Sequence, residues 1–135
     1  RERLFPVAAI ATPNLPEARI LAELPEGTPD QCAEKLLPHV RHLLITGGHG
    51  DETEVINRLY SRDGQVWTSS CARLPGSYHG SGCTLASALA GRLALGEDLP
   101  SAVQNALDYT WRCLRDAEAP GHGQYIPRRL PLDSL

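Results

Sequence analysis

The chain has 135 residues, with 13 Lys and Arg against 16 Asp and Glu, and a net charge of −3. This is one domain, or part of a larger one, with enough length to bury a core. The acidic balance argues against a nucleic-acid partner, because the arginines are scattered and Arg128-Arg129 is only a pair. No apolar run approaches the roughly 18 to 20 residues that span a bilayer, so no membrane partner is expected.

The start, Arg1 to Pro6, lacks the apolar stretch and small-residue cleavage site of a secretory signal. There is no Met, and the chain opens almost directly on an apolar strand, Val7-Ala8-Ala9-Ile10-Ala11, so it reads as a chain entered midway. Residues 7 to 12 are expected to form a buried parallel strand that gives way to a loop at Thr12-Pro13-Asn14. Pro16 suits a first helical turn, and Glu17 to Leu24 continues as a short amphipathic helix ended by Pro25-Glu26-Gly27. A second helix starts at Thr28, which faces Gln31 in a capping-box pattern, and carries Cys32, Leu36, Leu37 and Val40 on its apolar side until Pro38 interrupts it.

His42-Leu43-Leu44-Ile45-Thr46 is a second buried strand, closed by Gly47-Gly48-His49-Gly50, where the backbone needs unusual dihedrals. Residues 54–60 and 65–68 read as strands, with Asp63-Gly64 between them as a hairpin signal. Residues 69–79 look irregular. A small-residue helix then runs from Thr84 to Leu95, with Gly96 to stop it, and another from Leu99 to about Ala117, with Ala102, Val103, Ala106, Leu107, Thr110 and Leu114 on one face. Residues 119–124 are a loop and residues 126–135 a Pro-rich tail. The order is that of an α/β fold with a mostly parallel sheet and an antiparallel edge hairpin.

Chemistry concentrates at Gly80-Ser81-Gly82-Cys83. Two glycines free the backbone before a run of helix formers, so the first helical amides can converge on an anion. Cys83 follows where a helix N-terminus stabilises a thiolate. A free thiol, with a pKa of about 8.5, is mostly protonated at neutral pH, so a base here depends on that terminus. Taken alone, Cys83 would read as a small buried helix residue. The four cysteines, Cys32, Cys71, Cys83 and Cys113, form no CxxC pair, which favours reduced thiols in a cytoplasmic protein and argues against zinc. His39 and His42 have a proline upstream and no third ligand, so they read as surface residues, and Trp67 and Trp111 read as packing.

Three stretches in order, Thr12-Pro13-Asn14-Leu15-Pro16-Glu17-Ala18, Gly47-Gly48-His49 and His79-Gly80-Ser81-Gly82-Cys83-Thr84-Leu85, resemble the C-terminal half of the hydroxymethylpyrimidine/phosphomethylpyrimidine kinases of thiamine biosynthesis. These belong to the ribokinase-like superfamily, and the resemblance runs from about residue 5 to the Gly123-Gln124 loop. It implies a three-layer αβα ribokinase-like fold of which residues 1–135 are the C-terminal part. It also implies ATP-dependent phosphorylation of 4-amino-5-hydroxymethyl-2-methylpyrimidine and its monophosphate, with ATP and Mg²⁺ as cofactors and a homodimer as an available assembly.

In that family Asn14 and Glu17 match an Asn-x-x-Glu motif that organises Mg²⁺ through water near the triphosphate. As isolated residues they would simply start a turn and favour a helix N-terminus. Gly80, Ser81, Gly82 and Cys83 match the anion hole, with Cys83 in the position of the catalytic base. Gly47 and Gly48 suit a backbone lying close to the nucleotide, and Ala102, Val103 and Ala106 are the candidates for the adenine pocket. The family's lysine before Gly-Gly-His is Thr46 here, so a phosphate-binding cation is missing from that position, and neither Arg58 nor Arg73 can be assigned its task. His49 reads as a local hydrogen-bonding residue. A pyridoxal or pyridoxine kinase of the same fold, and a non-catalytic nucleotide-binding module, are the alternative readings.

Overall fold

Three of the four α-helices among the described residues begin in the same way, with a polar side chain that accepts from the first turn and a proline one or two positions later. A computed structural model describes residues 3–48 and 53–130. In it α1 (Leu15–Ala22) starts at Asn14, α2 (Pro29–Leu36) at Thr28 and α4 (Leu99–Arg115) at Asp98. Each cap satisfies an amide that the helix cannot, and each proline occupies a position where its missing N–H costs nothing. The capping box expected at Thr28 and Gln31 is present, with N–H···O distances of 2.9 and 3.2 Å. The fourth helix, α3 (Ser81–Ala94), is the exception, with Gly80 as its N-cap and no side-chain cap.

The described residues fall into two compact units, 1–73 and 74–135. In the first, β1 (His42–Ile45), β2 (Glu54–Ser61) and β3 (Val66–Ala72) form an antiparallel sheet in the order β1-β2-β3. Leu44 lies opposite Leu59, and Asn57 opposite Ser69. The hairpin expected at Asp63-Gly64 is there: Gly64 N–H donates to Ser61 O at 3.0 Å, and Ser61 N–H to Gln65 O at 2.9 Å. β3 runs on to Ala72, well past the expected end at residue 68, because each of its residues from 66 to 72 has a partner on β2. Ala18, Cys32, Leu36, Val40 and Leu43 form a fully buried core, closed on one side by Tyr60, whose hydroxyl donates to Asp30 Oδ1 at 2.7 Å.

The expected strand at residues 7–12 is corrected. Phe5–Val7 is a 3₁₀ turn, and Val7 is 80% exposed. The chain then extends along β1 in parallel but makes only two isolated bridges, Ala11 with Leu43 and Asn14 with Thr46. Ala11 N–H donates to His42 O and its carbonyl accepts from Leu44 N–H; two residues on, Pro13 O accepts from Thr46 N–H, and Leu15 N–H donates to Thr46 O. The donor that would link the two pairs belongs to residue 13, and proline has none. The mostly parallel sheet therefore appears here as one interrupted parallel pairing beside an antiparallel sheet.

In the second unit α3 and α4 pack together, burying Leu85 and Leu89 of the former and Ala102, Val103, Ala106 and Cys113 of the latter. α3 stops at Ala94, followed by Gly96 at φ 86°. After the loop, Tyr125 and Ile126 bridge to Tyr78 and Glu118. Arg128 N–H donates to Cys113 O, and Tyr109 Oη donates to Arg129 O at 2.6 Å, so the chain up to residue 129 is fastened to α4.

Candidate functional site

In the first unit the structure brings together Asn14, Glu17, Thr46 and Gly47. Asn14 caps α1 by accepting from Glu17 N–H at 2.8 Å, and Glu17 Oε2 accepts from Asn14 N–H at 3.0 Å. Asn14 bridges to Thr46, and the next residue, Gly47, donates its N–H to Asn57 Oδ1 at 3.3 Å. Gly47 is required sterically: a Cβ there would lie 2.5 Å from Ile56 O. Its backbone thus lies close to β2. Asn57 is only 4% exposed, a buried amide serving a loop, and sequence reasoning took it for an ordinary strand residue. Gly48 has φ 93°, as expected of the turn, and His49 lies outside the described residues.

In the second unit the site is the start of α3, three residues earlier than expected. Gly80 sits at φ 89°, ψ 9°, a left-handed conformation that glycine adopts without cost. Its carbonyl accepts from Thr84 N–H at 3.0 Å and from Thr84 Oγ1 at 2.8 Å. Thr84 is the first residue of α3 with an intrahelical bond, so Ser81, Gly82 and Cys83 are the helix's opening turn. Their N–H groups have no backbone or capping partner among the described residues. Three adjacent amides with the positive end of the helix dipole behind them have the chemistry to receive an anion. Cys83 is an exposed free thiol on the same turn.

The loop that delivers this turn is held from outside. His79 N–H donates to Tyr125 O at 2.9 Å and Tyr125 N–H to Ser77 O at 2.8 Å. Tyr78 Oη donates to Pro75 O, and its ring lies 5.7 Å from that of Tyr125. Arg129 also reaches the helix start, and sequence reasoning missed it because 45 residues separate it from Thr84. Ala102, Val103 and Ala106 are each 0% exposed. All three side chains lie in the core of the second unit. Among the described residues no group of three or more His, Cys, Asp or Glu could hold a metal ion, and no helix is long and apolar enough to cross a membrane.

The fold is that of the ribokinase-like α/β kinases: a Bacillus subtilis pyridoxal kinase solved as an ADP complex superposes with a TM-score of 0.89 at 24% identity, over 98% of this chain and 54% of that one. Residues 1–128 match the family described as phosphomethylpyrimidine kinase, and the chain belongs to that family. A hydroxymethylpyrimidine/phosphomethylpyrimidine kinase of Mycobacterium tuberculosis is 36% identical over 94% of this chain and 49% of its own length. The thiamine biosynthesis bifunctional protein ThiED of Geobacter sulfurreducens is 36% identical over 91% of this chain and 26% of its length. The chain spans about half the length of the first of these relatives, and about a quarter of the second.

Proposed function

We propose that residues 1–135 are the C-terminal part of a single kinase domain that phosphorylates 4-amino-5-hydroxymethyl-2-methylpyrimidine, and then its monophosphate, for thiamine diphosphate synthesis. The observation that carries this reading is the uncapped start of α3, with three amides that have no partner among the described residues beside an exposed thiol. Reduced thiols and a cytoplasmic location belong to the same reading.

In the reaction the acceptor's hydroxyl oxygen attacks the γ-phosphorus of ATP, the bond from that phosphorus to the oxygen of departing ADP breaks, and Cys83 assists removal of the hydroxyl proton or hydrogen-bonds it as it leaves. The Ser81, Gly82 and Cys83 amides receive the charge on the phosphoryl oxygens. Asn14 and Glu17 fit Mg²⁺ only through water. Each already commits a side-chain oxygen to the capping box, which leaves Glu17 Oε1 to accept from a bound water. When bound, the ion neutralises charge on the nucleotide phosphates. Ala102, Val103 and Ala106, buried in the second unit, would bear on the adenine pocket by shaping the surface above them.

The test is Cys83→Ala in protein that contains both halves of the domain. Turnover should fall by about 10² to 10⁴, the usual worth of a general base, while ADP affinity is kept. Near-normal turnover would remove Cys83 from the mechanism. Comparing the pyrimidine with pyridoxal as acceptor decides between this reading and a pyridoxal kinase.

A further inference from the structure

We propose that Arg129 is a phosphate-binding residue of the α3 site, a role that rests on the reading of that helix start as the phosphoryl-receiving end. Arg129 reaches Thr84 through Nε, which donates to Thr84 Oγ1 at 3.4 Å, and Thr84 Oγ1 donates in turn to Gly80 O at 2.8 Å. This chain of two bonds uses the one guanidinium nitrogen that points back along the side chain. The two terminal nitrogens make no hydrogen bond and no ion pair among the described residues. Nη2 lies over the helix start: a Cβ added to Gly80 would stand 3.4 Å from it. A planar fork with both tips unspent, held beside three open amides, is matched to the oxygens of a phosphate or pyrophosphate.

The main chain fixes this placement. Pro127 is buried, Arg128 N–H is bound to Cys113 O, and Arg129 O accepts from Tyr109 Oη. The guanidinium therefore starts from an anchored backbone, so the backbone part of the ordering cost is already met before it binds. It is also reachable, because Arg129 lines a groove of about 500 Å³ together with Thr84, Ser87, Ala88, Gly91 and Tyr109. The ligand class is a phosphoric anhydride or phosphomonoester. A neutral acceptor alcohol would gain nothing from this residue.

The experiment titrates ¹⁵N-labelled protein that contains both halves of the domain with inorganic pyrophosphate, following the amides of Ser81, Gly82 and Cys83. In the unchanged protein they should shift and saturate. Arg129→Gln should weaken the apparent Kd by ~10-fold or more, and Arg129→Lys, which keeps the charge and loses the fork, by a smaller factor. Unchanged α4 resonances and an unchanged Tm establish that each variant is folded. Should Arg129→Gln unfold the chain, the lysine variant carries the test, and a Kd equal to the unchanged protein's overturns the fork. If the amides shift with the same Kd in Arg129→Gln, the proposal fails and the α3 site stands. If the unchanged protein shows no shift, the α3 reading fails and takes the role of Arg129 with it.

Discussion

Asn14 and Glu17 close on each other: the N–H of each is accepted by the side chain of the other, at 2.8 and 3.0 Å. A motif that the family resemblance ties to Mg²⁺ is therefore also the device that starts α1. The two roles separate by mutation. Asn14→Ala removes the acceptor for Glu17 N–H and should cost about 1 kcal/mol in urea unfolding. Glu17→Gln keeps an oxygen for Asn14 N–H and loses only charge, so stability should stay within about 0.5 kcal/mol while the Mg²⁺ dependence of nucleotide binding weakens. Equal stability losses in both variants, with Mg²⁺ dependence intact, would reduce the motif to a cap.

Gly47 and Gly82 make a second contrast. A methyl group at position 47 meets the Ile56 carbonyl at 2.5 Å, where only backbone could yield, whereas at position 82 it meets nothing within 4 Å. Gly47→Ala should destabilise by about 3 kcal/mol through overpacking against β2. Gly82→Ala should leave thermal stability nearly unchanged. A tolerated Gly47→Ala would mean that the loop after β1 can move off β2.

The thiols should differ in reactivity. Cys32 and Cys113 are buried, and burial raises both above the usual thiol value. Cys83 is exposed at a helix start. Brief alkylation of the native chain, read by peptide mass spectrometry, should label Cys83 well before Cys32 or Cys113, and pyrophosphate should slow it. Labelling of Cys32 at a comparable rate would show that the core of the first unit opens readily.

Stability should fall on acidification in two windows. His42 is lowered from its ordinary 6.5, first by burial and then by the charge of Arg41, with Asp63 opposing; its Nδ1 is buried without a hydrogen-bond partner among the described residues. Below 6.5 the unfolded chain takes up a proton that the folded chain resists, so this contribution is intact above 6.5 and is lost as pH falls toward the folded value. Asp98, lowered from 3.8 by its bonds to Ser101 at the start of α4, contributes above 3.8 and loses that contribution at still lower pH. Melting curves from pH 8 to pH 3 at constant ionic strength should show both losses. His42→Gln should remove the first; an unaltered profile would exclude His42 as its source.

What the sequence made legible was mostly local. Capping side chains and first-turn prolines announce α1, α2 and α4 because each cap acts within three residues of itself. The start of α3 was placed too late because its two glycines look like loop, while their function is to leave the opening turn uncapped. The serines at 69 and 70 hid the second half of β3, whose strand character comes from its pairing with β2. Asn57 and Arg129 were beyond reach for another reason: their partners, Gly47 and Thr84, lie 10 and 45 residues away, and no spacing rule covers such distances.

The interruption at Pro13 also bears on how the chain behaves in concentrated solution. Along the segment that pairs with β1, the N–H and C=O groups of Ile10 and Thr12 face the other way and make no backbone hydrogen bond among the described residues. They form a bare strand edge, the usual template for unwanted pairing between molecules. The 3₁₀ turn at Phe5–Val7 precedes that edge, and the donor that Pro13 lacks would have pointed at β1, so the proline leaves the outer edge unblocked. The proline that spoils the parallel ladder thus places its defect on the inner side, and the outer side keeps the donors and acceptors with which a further strand could pair.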